Sequence, residues 1–118
     1  MRPAALVLAG VFAAAAAPAF AHAFVQAASP EPGSTVAAAP REVRITFSEA
    51  LEPAFSTITV AGPRGFGGAG PARPAGDTHT LAAPLHAPLP PGRYVVRWRV
   101  LATDSHTTTG AFRFELKP

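Results

Sequence analysis

R-Y-V-V-R-W-R-V-L, residues 93–101, decides the fold class. Tyr94, Val96, Trp98 and Val100 fall on one side of an extended chain, and Val95, Arg97, Arg99 and Leu101 on the other. A period of two, one side apolar and the other carrying charge, is the mark of a strand with one face on a core and one in water. Arg97 and Arg99 read as a solvated strand face rather than an anion site. Three further runs repeat the pattern. Val43, Ile45 and Phe47 alternate with Arg44, Thr46 and Ser48; Ile58 and Val60 alternate with Thr57 and Thr59; and Phe112, Phe114 and Leu116 alternate with Arg113 and Glu115. Breakers separate them: S-P-E-P-G-S at 29–34, A-P at 39–40 and L-P-P-G at 89–92. Residues 62–76, G-P-R-G-F-G-G-A-G-P-A-R-P-A-G, read as a low-complexity loop with no room for a packed strand. Short strands without helix signals predict an all-β, Greek-key β-sandwich of one domain, with a small barrel as the competing architecture.

The first 21 residues do not belong to that pattern. Arg2 precedes an apolar run, Pro18 breaks it, and Ala19-Phe20-Ala21 supplies the small-x-small cleavage signature. The run is short for a spanning helix, which needs about 20 residues, and no basic cluster follows it. We expect a signal peptide over 1–21, cleaved after Ala21, and one domain over 22–118. Of the 118 residues, 97 then remain, and loss of Arg2 takes the formal charge from +3 to +2. Basic and acidic residues are interspersed, so no nucleic-acid footprint is indicated. No second apolar segment could cross a membrane. There is no cysteine, which removes both disulfides and the softest metal ligand.

Cleavage after Ala21 changes what His22 is. As the first residue it offers an imidazole and a free α-amine, and the two can chelate one metal through the ring Nδ1. An α-amine pKa of roughly 7.7–8.0 makes deprotonation cheap near neutral pH. Far along the chain, T-D-S-H-T-T-T-G carries Asp104 and His106 at i and i+2. In extended backbone both side chains leave the same face. Such a pair can ligate a metal, act as base and acid, or cap a loop. Joined to His22 it would give three nitrogens and one oxygen, a donor set suited to Cu(II). Sequence spacing alone does not bring His22 to that loop.

The motifs H-A-F-V-Q-A-A-S-P-E-P-G-S, V-R-I-T-F-S-E and P-P-G-R-Y-V-V-R-W-R-V-L-A-T-D-S-H-T-T-T-G-A-F-R-F, in that order, resemble the CopC family of periplasmic copper-binding proteins. The resemblance spans essentially all of 22–118. It implies a cupredoxin-like sandwich of about seven strands and one Cu(II) per chain, held by the amine and ring of His22 with Asp104 and His106. Glu49, the glutamate of F-S-E, is implied to hold a ligand or bound water by hydrogen bond. The implied role is periplasmic copper resistance or homeostasis, as a buffer or carrier that delivers copper to an inner-membrane transporter of the CopD type.

Two departures stand out. The methionine-rich Cu(I) site that some family members carry has no counterpart, since the sole methionine is Met1 and the matching region is the Gly/Pro-rich loop; soft Cu(I) needs soft ligands, so no Cu(I) site is expected. Ser105 replaces the more usual glycine of D-G-H, which bears on the loop's backbone. His79 and His86, lacking a third donor, read as surface histidines. Trp98, the only tryptophan, is expected in the core and close enough to the metal loop to report copper by quenching. No catalytic residue is assigned and the chain is not read as an enzyme. A histidine-brace copper monooxygenase is the enzymatic alternative, and a metal-free exported β-sandwich module the other.

Overall fold

The computed structural model describes residues 23–118. Its strands are β1 (Val25–Ser29), β2 (Thr35–Val36), β3 (Glu42–Phe47), β4 (Thr57–Ala61), β5 (Arg73–Pro74), β6 (Thr80–Pro84), β7 (Gly92–Leu101) and β8 (Thr107–Leu116). They form two four-stranded sheets, in the orders β1-β3-β6-β5 and β2-β8-β7-β4. Two sheets face to face make a sandwich, so the fold class is as expected and the barrel is not formed. Eight strands stand where about seven were expected, because β2 and β5 are two-residue edge pieces. Among the described residues the only helical structure is two single 3-10 turns, Pro53–Phe55 and Pro63–Gly65.

Each alternation read from the sequence is realised as burial. On β3, Val43, Ile45 and Phe47 are fully buried, and on β7 Tyr94, Val96 and Val100 are too, while Arg93, Arg97 and Arg99 are exposed. The long β7–β8 hairpin sets these side chains in direct pairs: Tyr94 opposite Phe114, Val96 opposite Phe112 and Trp98 opposite Gly110. Tyr94 and Phe114 stack with ring centroids 5.0 Å apart. Such a pair contributes about 0.5–1.5 kcal/mol beyond its buried area. Tyr94 keeps its polar end satisfied by donating its hydroxyl hydrogen to the Pro90 carbonyl. Trp98 is half-buried, with its edge to Phe47 at 5.9 Å.

Gly110 explains why β8 reaches further back than the Phe112–Leu116 alternation suggested. A Cβ built there would lie 2.2 Å from the Trp98 ring, so glycine is what lets the indole lie across β8. Its lack of a side chain hides the strand from a pattern search. β6 was also missed: T-L-A-A-P is buried on both faces, with Thr80 to Ala83 all inside, and so does not alternate. The 62–76 stretch corrects the sequence reading in part. Arg73–Pro74 pairs with β6, but it is short and exposed, as edge strands carrying proline are.

Candidate metal centre

Asp104 and His106 lie in the tight loop Ala102–His106 that closes the β7–β8 hairpin. The loop is a turn, not the extended backbone assumed from their i, i+2 spacing. Ala102 donates its N–H to the His106 carbonyl, and Ser105 donates to the Ala102 carbonyl, both at 2.9 Å. Asp104 Oδ1 accepts the backbone N–H of His106 at 3.1 Å, an aspartate capping its own turn. The same oxygen is 3.3 Å from His106 Nδ1. The turn therefore brings the two side chains together by a route other than the one expected. An Nδ1–H shared with the carboxylate sets the neutral ring's lone pair on Nε2. The donated His106 backbone N–H holds the Asp104 carboxyl below the usual carboxylate range, so it is an anion throughout neutral pH. Ser105, between them, has φ +78°. The serine thus occupies the left-handed backbone that favours glycine, and the loop keeps a shape its residue type disfavours.

What holds this loop is the segment Ser48–Glu52. Thr103 donates to the Ala50 carbonyl, Glu52 donates to the Leu101 carbonyl, and Leu51 bridges to Ala102. Ser48 is tied in the other direction. Its N–H bonds the Phe24 carbonyl at 2.9 Å, and its Oγ accepts the Phe24 N–H at 3.0 Å. Ala23 is buried, at 1% exposure. Two residues of extended chain, at most about 7 Å, thus separate the anchor of Phe24 from the anchor of the Asp104–His106 turn. Half-buried Glu49 sits between the two anchors. His22 lies outside the described residues.

A second D-x-H turn reaches the same segment and was not singled out in the sequence. Asp77 Oδ1 accepts the His79 backbone N–H at 2.9 Å, and Thr78 Oγ1 is 3.2 Å from His79 Nδ1. That backbone bond, first among several, lowers the Asp77 carboxyl in the same way. Phe47 and Leu51 donate to the carbonyls of His79 and Thr78. Repetition of the D-x-H pattern was the available signal. His79 is half-buried rather than a plain surface histidine, while His86 is exposed. Glu49, Glu52, Asp77 and Asp104, four of the seven acidic residues, therefore gather at one end of the sandwich.

An imidazole beside an ionised carboxylate is a donor pair of the nitrogen and oxygen type that suits Cu(II). It is an incomplete one: no group of three or more His, Asp or Glu able to hold a metal occurs among the described residues. The donors present fit copper only if more are added from outside residues 23–118.

The CopC domain model matches residues 25–117. The chain belongs to the CopC family. Among curated CopC-like relatives, copper resistance protein C of Escherichia coli is 31% identical over 121 residues, covering 96% of this chain and 95% of that protein. Protein YobA of Escherichia coli strain K12 is 36% identical over 100 residues, 83% of this chain and 81% of its own. The crystal structure of CopC from Methylosinus trichosporium OB3b superposes with a TM-score of 0.75 at 34% identity, covering 82% of this chain and 95% of that one. The relatives it matches include copper resistance proteins, and membership in that family bears out the reading that the chain is not an enzyme.

Proposed function

We propose that this CopC protein is exported, loses residues 1–21, and binds one Cu(II) through the α-amine and ring of His22 together with Asp104 and His106. The observation that carries the reading is the shared anchor: Phe24 is bonded to Ser48 and Thr103 to Ala50. His22 is one peptide bond ahead of buried Ala23, so a free amine there starts within reach of the turn. The imidazole nitrogens, amine and carboxylate supply the four donors that tetragonal Cu(II) prefers. Glu49 contributes by hydrogen bonding a ligand or bound water. The acidic end of the sandwich attracts a dication to this site.

The bound copper is buffered in the periplasm or carried to a separate inner-membrane transporter of the CopD type. No helix of the described residues is long and apolar enough to cross a membrane. With no cysteine and only Met1 as methionine, the chain left after loss of residues 1–21 has no soft donors for Cu(I). Family membership supports a binding protein over a histidine-brace monooxygenase. The test is competitive Cu(II) titration of four single variants. His22→Ala, Asp104→Ala and His106→Ala are expected to weaken binding, His22→Ala most because it removes the ring and leaves a bare amine. His79→Ala is expected to retain affinity. Equal losses in all four would move the site to the wider acidic end.

A further inference from the structure

The register of β7 and β8 collects a second kind of surface, on the outer face of the sheet and away from the turn that carries Asp104 and His106. Arg93, Arg97 and Arg99 leave the outer face of β7, and Arg113 leaves the outer face of β8 opposite Val95. Their neighbours on that face are small: Thr57 and Thr59 of β4 lie opposite Arg99 and Arg97, and Thr109 and Ala111 oppose the same two from β8. All four arginines are exposed. The ion pairs of the described residues lie elsewhere, between Arg44 or Arg73 and Glu42 and between His106 and Asp104. Glu115, opposite Arg93, is the one acid on this face. The face thus carries a formal +3, more than the +2 of the whole chain from residue 22, while four of the seven acids sit at the sandwich end. The sequence showed only Arg97 and Arg99 as a solvated pair; the pairing adds Arg93 and Arg113 and makes a field along about 20 Å of strand.

We propose that this open sheet face docks on an anionic phospholipid surface. The proposal goes beyond copper binding and does not depend on it. A protein partner would call for buried anchors, and interface cores are enriched in aromatic residues, methionine and arginine, of which this face has only the arginines, all of them exposed. This face offers arginine, threonine, alanine and a half-buried Val95, with no exposed aromatic. The described chain's exposed large hydrophobics, Phe24 and Phe55, lie on the chain start and on the turn after Glu52, off the sheet face. A headgroup surface requires only charge spread over an open area, which the outer face of a sheet supplies. Each arginine near an anionic surface strengthens attachment on the order of five-fold. Docked in this way, the strands lie along the membrane and the Ala102–His106 turn opens sideways, just above the lipid, rather than toward bulk solvent.

The test is cosedimentation of the purified, copper-free protein, its N-terminus determined, with vesicles of phosphatidylglycerol and phosphatidylcholine in equal parts, and with phosphatidylcholine alone. We expect binding to the anionic vesicles only, abolished by high salt because exposed charges are screened. The triple variant Arg93→Gln, Arg97→Gln, Arg99→Gln is expected to lose on the order of a hundred-fold, at about five-fold per charge. Removing the same charge from the opposite sheet, by Arg41→Gln, Arg44→Gln and Arg73→Gln, is expected to cost far less. Glu115→Gln, which leaves every arginine in place, is expected to strengthen binding about five-fold. Equal loss in the two triple variants would overturn the proposal, since net charge and not this face would then be responsible. So would indifference to anionic vesicles, or an arginine-dependent attachment found only with an acidic protein.

Discussion

Ser105→Gly is expected to stabilise the protein without weakening copper binding. Ser105 stands at φ +78° on the exposed tip of the loop that carries Asp104 and His106, and its hydroxyl makes no hydrogen bond within the described residues. Left-handed backbone costs an L-residue about 1–2 kcal/mol through the clash of Cβ with the following carbonyl. Glycine removes that cost but adds unfolded-state freedom worth about 0.5–1 kcal/mol. The remainder is a gain of up to about 1.5 kcal/mol, about 0.75 kcal/mol at the centre of the two ranges, which is about 3–6 °C in Tm for a domain of roughly 100 residues. Thermal unfolding of the metal-free protein by circular dichroism reads it directly. Ser105→Val sharpens the test, because a β-branched residue is a genuine outlier in this region and should lower Tm below that of the parent. Cu(II) affinity of the glycine variant should stay close to the parent's, since the loop backbone already has the conformation that glycine favours. A fall in Tm on Ser105→Gly would refute the strain argument and show that the serine side chain contributes to the turn.

Gly110→Ala should destabilise by about 1–3 kcal/mol in chemical denaturation, because its Cβ would meet the Trp98 ring and force the core open. Tyr94→Phe should cost about 1 kcal/mol by removing the hydrogen bond to the Pro90 carbonyl while keeping the stack on Phe114. Addition of Cu(II) should quench Trp98 fluorescence, with a plateau at one equivalent per chain; a plateau at two would require a second site. Asp77 has a folded-state pKa below its unfolded value, which is about 3.9. Its contribution is therefore present above that value and is lost as pH falls through the folded one, so the stability gap between the parent and Asp77→Ala should close below about pH 4. A gap that widened in acid would reverse the assignment.

The fold was legible wherever one strand face meets water. β3, β4 and β7 announce themselves by alternation, since a solvated face forces a polar residue at every second position. β6 is silent because both of its faces are buried, and the first half of β8 is silent because Gly110 gives up its side chain to the indole of Trp98. At the site, the residue types were legible and the geometry was not. Asp104 and His106 do meet, but through a capped turn with Ser105 in the left-handed region rather than on an extended face. The Asp77–His79 turn is a local D-x-H pattern, but its placement on the same segment, like the Ser48 anchor of Phe24, could not be read from spacing, because both placements arise from contacts between distant stretches of chain. The arginine face is similar. Each strand contributes an ordinary solvated row, and only the β7–β8 register shows that the rows lie side by side.

Copper held by the chain's own first residue is the central claim, and Cu(II) titration of the exported protein, with its N-terminus determined on the same sample, tests it most directly. The account predicts a chain that begins His22-Ala23-Phe24 and takes up one Cu(II) that survives competition from a strong chelator. Equally tight binding by a chain that begins elsewhere, or no uptake by one that begins at His22, would contradict it.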